Sequence, residues 1–133
     1  MAEMNDPSHA GDDVFAGVLD LAVMDQLLSL DDGELGLLEE MLALYKEDTP
    51  DRIKAIEVTL AAGDMTDMAD VAHAIKGASS TMGAPKVRNL AAELETEGRV
   101  GKGTMDPNLV LEQLKEAYLE SIAAMDAFVA QRR

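Results

Sequence analysis

Ala72-His73-Ala74-Ile75-Lys76-Gly77-Ala78-Ser79-Ser80, closed by Met82-Gly83, is the stretch from which the rest of the chain is read. Residues on a helix advance by about 100° each, so Met68, Val71, Ala72, Ile75, Ala78, Ser79 and Met82 share one apolar stripe centred near Ile75. By the same arithmetic His73 lies roughly 160° from that centre, on a strip shared with Ala69, Gly77 and Ser80 and flanked by Lys76. The spacing therefore predicts a helix that buries one side and projects an imidazole from the other.

Glycine within a helix costs about 1 kcal/mol relative to alanine, so Gly77, one turn after the histidine, calls for a reason. Bareness is one. With Ala69 a turn before and Gly77 a turn after, another protein could approach the ring closely. A neutral imidazole has a nitrogen able to attack phosphorus, and the Lys76 ammonium can pair with phosphoryl oxygens. Taken by itself, a His-x-x-Lys pair reads better as two solvated side chains, and the bare strip shifts that balance only modestly.

The stretch resembles the histidine-containing phosphotransfer (HPt) domains of bacterial multistep phosphorelays. Their signature runs A-H-x-L-K-G-[SA]-[SA]-x-x-x-G-[AL], followed a helix later by C-x-x-L-E. This chain reads Ala72 to Ala84 and then Ala91-Ala92-Glu93-Leu94-Glu95 at matching spacing, with Ile75 for the usual Leu, Ala91 for the frequent Cys, and Pro85 after the glycine turn. The resemblance implies that His73 accepts the phosphoryl group, that Lys76 assists it and that Gly77 leaves room for a docking receiver domain. It also implies that Glu95 bonds the ring nitrogen that is not phosphorylated. A solvated helix residue is the other reading of Glu95.

The implied partners are response-regulator receiver domains and a hybrid sensor histidine kinase. The phosphoryl group would pass reversibly from a receiver aspartate to His73 and on to another receiver. Any Mg²⁺ would be brought by the receiver, and no cofactor or metal is expected on this chain. A phosphocarrier rather than an enzyme is expected, since no G-x-x-x-x-G-K-[ST] loop occurs and the glycines at Gly101 and Gly103 lack the rest of a nucleotide-binding spacing. The competing possibility is a helical scaffold whose histidine is chemically idle.

Bulk composition narrows the field. The 133 residues suit one domain with a single core. They include nine Met, no Trp and only 3% aromatic residues, a composition for packed helices. With 26 acidic and 11 basic side chains the formal net charge is −15, which argues against nucleic acid or an anionic membrane as partner. The absence of Cys removes disulfides and thiolate metal sites and is compatible with a cytoplasmic location. No apolar run approaches the ~18 residues of a membrane span, and no signal peptide is visible.

Residues 1–13, with Asn5, Asp6, Pro7, Ser8 and Gly11, have the composition of a flexible tail, and His9 belongs to it. Residues 14–133 are expected to form one helical domain. Asp20 can cap a short helix to Leu30, ended by Asp31-Asp32-Gly33. A helical pattern follows from Glu34 to about Ala62, with Thr49-Pro50 either kinking one helix or starting another. Asp64 or Thr66 can cap the His73 helix, which runs to about Met82. Gly83 suits a left-handed terminator and Pro85 the first turn of a helix over about Lys86 to Glu97. Gly98 to Gly103 reads as a flexible glycine loop, and Asp106-Pro107 opens a last helix that buries Leu111, Leu114, Tyr118, Ile122, Met125, Phe128 and Val129.

These elements predict an all-α fold, an antiparallel four-helix bundle with an additional N-terminal helix, as a monomer in preference to a homodimer. Asp70-x-x-His73 could face a metal ion as an i, i+3 pair, but bundle metal sites need several such ligands, and the one other histidine, His9, lies in the tail. Ser79 falls on the core side, and Ser80 reads as a surface residue rather than a nucleophile.

Overall fold

A computed structural model describes residues 15, 17–101 and 106–133, and contains five helices with no strand among those residues. They are α1 (Leu21–Ser29), α2 (Gly36–Ala62), α3 (Met65–Thr81), α4 (Pro85–Val100) and α5 (Pro107–Ala130). The pairs α2/α3, α3/α4, α4/α5 and α5/α2 each pack together, closing an antiparallel four-helix ring, and α1 lies on α2. Residues 1–14, and with them His9 and the expected tail, lie outside the described residues.

Local chemistry sets the helix ends. The Asp20 carboxylate accepts from the Ala22 amide at 3.1 Å, Asp64 from Asp67 at 3.1 Å and Asp106 from Asn108 at 3.0 Å, so three helices open on an aspartate cap. The α2 helix lacks its own cap. Asp31, left behind in the preceding turn, supplies one by accepting from the Leu37 amide at 3.0 Å, which moves the helix start from Glu34 to Gly36. Gly83, at φ 69°, reverses the chain between α3 and α4. Its carbonyl accepts from the Asp20 amide at 2.8 Å, pinning the start of α1 to that turn.

The open question at Pro50 is answered by one continuous helix. Leu38, Leu42, Tyr45, Thr49, Ile53 and Ile56 form an unbroken buried stripe through it, while Pro50 itself faces solvent. The hydrogen bond that proline gives up is thus lost on the wet side, where burial of the opposite stripe outweighs it. The Thr49 hydroxyl is buried with no hydrogen-bond partner among the described residues.

Met68, Ala72 and Ile75 of α3 are fully buried, meeting Leu94 and Ala91 of α4, Leu114 and Met125 of α5, and Ile56 of α2 in one core. At its far end Ser79 is buried and shares a 2.7 Å hydrogen bond with the Tyr45 hydroxyl. Burial, against that bond, pushes the Tyr45 hydroxyl up to about 12. This tie and the apolar stripe fix the rotation of α3, and so the direction in which His73 points.

Two expectations need correction. Gly98 is part of α4, which continues to Val100, and the glycine-terminated end falls at Gly101 with φ 65°. The reason is packing: a β-carbon at Gly98 would lie 2.5 Å from the Met65 carbonyl oxygen and 2.8 Å from the Ala69 β-carbon. Gly98 is therefore a contact point between helices. Ala69, expected on the open strip with His73, is fully buried beneath it.

Candidate functional site

His73 projects from the middle of α3 with its side chain 62% exposed, as the helical spacing predicts. The nearest element is α4, whose antiparallel course brings Glu95 opposite the ring. The Glu95 carboxylate, only 14% exposed, accepts from His73 Nδ1 at 2.7 Å and from Lys76 Nζ at 2.6 Å, one oxygen for each. Pairing with Lys76, and then the hydrogen bond from the ring, hold the Glu95 carboxyl below the usual glutamate range against the upward push of burial.

An ionised carboxylate can only accept, so the hydrogen between it and the ring sits on Nδ1. In the neutral imidazole Nε2 then carries the free electron pair. The arrangement thus selects the tautomer and aims the nucleophilic nitrogen away from Glu95.

Gly77 follows one turn later on the same exposed strip. A β-carbon placed on it would meet nothing within 4 Å, so the fold leaves this position open. Lys76 lies on the α4 side of the strip, 28% exposed and held by Glu95. The four candidates His73, Lys76, Gly77 and Glu95 are thereby brought to one patch. Ser80 is exposed farther along it and Ser79 is buried, each on its expected side.

Two further residues belong to the network. Arg99 lies 3.7 Å from Glu95, on the oxygen that bonds the ring, and donates to Asp70 at 3.0 Å. The spacing Glu95-x-x-x-Arg99 is legible as an i, i+4 pair, but the Asp70 contact depends on how α3 and α4 slide past one another. Asp70, weighed as a metal partner of His73, is instead engaged by Arg99. No group of three metal-ligating side chains is found among the described residues.

Because the folded-state pKa of Glu95 is depressed, the stability this network contributes is present above the ordinary glutamate value of about 4.3 and is lost as pH falls through the lower folded value. Carboxyl NMR should find Glu95 titrating below that ordinary value, and Lys76→Met should raise its midpoint. A midpoint at or above the ordinary value would contradict the geometry.

Among known proteins, the sequence model of the Hpt domain family matches residues 40–127. Among solved structures, the fold is similar to the histidine-containing phosphotransfer domain of ArcB from Escherichia coli. The TM-score is 0.77 at 23% identity, over 90% of this chain and 98% of that one. No curated protein matches the chain. No described helix is long and apolar enough to cross a membrane.

Proposed function

The chain belongs to the Hpt domain family, and from that premise we propose that His73 is its phosphoryl-accepting residue in a multistep phosphorelay. The observation that carries this reading is an exposed imidazole whose Nδ1 is engaged by Glu95, leaving Nε2 free beside the open face at Gly77. A receiver domain bearing an aspartyl phosphate docks there. As the Nε2–P bond forms, the bond between phosphorus and the aspartyl oxygen breaks, and the carboxylate leaves with its electron pair. The reverse reaction with a second receiver discharges the chain.

Glu95 is the positioning residue that keeps hydrogen on Nδ1, and Lys76 is the nearest charge partner for the phosphoryl oxygens. Phosphoryl transfer asks little of the protein beyond placement and charge neutralisation. Mg²⁺ is the receiver's contribution, and a hybrid sensor histidine kinase is the upstream source. The chain acts as a phosphocarrier, without using ATP itself, in the cytoplasm and as a monomer.

The test is to mix the protein with phosphorylated receivers of the source organism and to characterise the label. Alkali-stable, acid-labile phosphate on the chain, returned to a second receiver, is the expected result. Receiver binding without label would leave only the scaffold.

Gly77→Gln should cut the transfer rate by about tenfold or more, because it places a long side chain where the partner's surface must come close. Helicity should be unchanged or improved. An unchanged transfer rate would show that access at Gly77 is not limiting.

A further inference from the structure

Charge around His73 is balanced in a way that the phosphocarrier role upsets. In the resting site Asp70 and Glu95 face Lys76 and Arg99, a formal sum of zero around a neutral ring. With hydrogen kept on Nδ1, the transferred phosphoryl group leaves about two negative charges on its oxygens and one positive charge on the ring, so the site gains one negative charge, concentrated at the exposed phosphoryl oxygens. One ammonium, already held by Glu95 at 2.6 Å, does not offset that.

Arg99 stands on the other side of the ring from Lys76. It is anchored to Asp70, which precedes His73 by one turn of α3, whereas Lys76 follows by one turn. Its guanidinium is 44% exposed, and its hydrogen bond goes to an Asp70 carboxylate that is itself 61% exposed. Ion pairs this open to water are weak and easily exchanged. A guanidinium can also grip a phosphoryl group through two parallel N–H bonds, which a solvated carboxylate does not outmatch.

We propose that Arg99 is a second phosphoryl-binding cation of this site, held in reserve by Asp70 until His73 is phosphorylated. The proposal rests on the phosphocarrier reading above. When the Nε2–P bond has formed, Arg99 leaves Asp70 and closes on the phosphoryl oxygens from one side, with Lys76 on the other. Glu95 keeps its bond to Nδ1. Asp70 is a competitor for the same guanidinium, so it opposes the phosphorylated state through Arg99.

The experiment measures the equilibrium partition of phosphate between a receiver and the full chain, at fixed pH and Mg²⁺, for wild type, Arg99→Ala, Asp70→Asn and the double variant. Arg99→Ala should shift the partition toward the receiver by about tenfold. Asp70→Asn should shift it the opposite way by about threefold, and that gain should vanish in the double variant. If the pair only fastens α3 to α4, either substitution breaks the same contact and both shift the partition in one direction, which overturns the proposal. An Asp70→Asn gain that survives without Arg99 also overturns it, by showing that Asp70 acts directly on the phosphate. Wild type that takes no label at all refutes the phosphocarrier reading itself, so the two failures are distinguishable. Thermal melts within a few degrees of wild type confirm that folded variants are compared.

Discussion

His73→Gln is expected to abolish phosphoryl acceptance, lowering label on the chain by at least ~100-fold, while the melting temperature stays where it was. Glutamine retains a hydrogen-bond donor for Glu95 and is a good helix former. The native ring is 62% exposed, so little packing is lost, and surface changes of this kind stay within about 0.5 kcal/mol. What disappears is the nucleophilic nitrogen, because an amide nitrogen has no comparable electron pair to offer. Receiver binding should survive, since the bare face is intact. The measurement is label per chain beside a melt and a binding isotherm. Label persisting at the native level would place the acceptor elsewhere, and the sequence has one other histidine, His9.

The second large effect concerns two glycines that the structure places inside helices, Gly77 in α3 and Gly98 in α4. Gly77→Ala should stabilise the fold by about 0.5–1 kcal/mol, because α3 gains helix propensity and the new methyl meets nothing. Gly98→Ala should destabilise it by about 2 kcal/mol, lowering the melting temperature by roughly 5–10 °C. Here the same gain in propensity is outweighed by a methyl 2.5 Å from the Met65 carbonyl and 3.1 Å from the Ala69 amide nitrogen, backbone atoms that cannot swing aside. The helices must separate, and α4 carries Glu95 and Arg99 away from α3 as it moves. Denaturant unfolding of the two variants checks the contrast. Two changes of the same sign would mean that α3 and α4 do not meet as closely as described. Opposite signs would show that the fold does not need glycine at position 77, leaving access for a visitor as its reason.

Much of this was legible in the sequence because helical periodicity is a local property. The stripe through Met68, Ala72 and Ile75 determined which way His73 points, and the aspartates at 20, 64 and 106 marked three helix starts. The aligned spacing from Ala72 to Glu95 brought the ring and its carboxylate into one reading. What escaped was whatever depends on two helices meeting. Gly98 looked like part of a loop because three glycines lie within six residues, and only the nearness of Met65 explains why a helix runs through it. Ala69 looked as bare as Gly77 because angular position on α3 cannot reveal that α4 covers one and leaves the other open. The Asp70 to Arg99 pair was hidden for the same reason. Pro50 looked like a candidate breakpoint, and continuity follows from its facing solvent while Thr49 and Ile53 stay within the core.

The burial of Ala69 beneath Gly98 makes the surroundings of the ring lopsided. After the ring, the exposed positions are Gly77, which has no side chain, and the small Ser80, on the way to the turn where α1 is fastened. Before it, Asp70 and Arg99 stand up as a charged ridge. The two ends of the site are therefore not interchangeable: small residues lie on one side of the imidazole and long charged ones on the other.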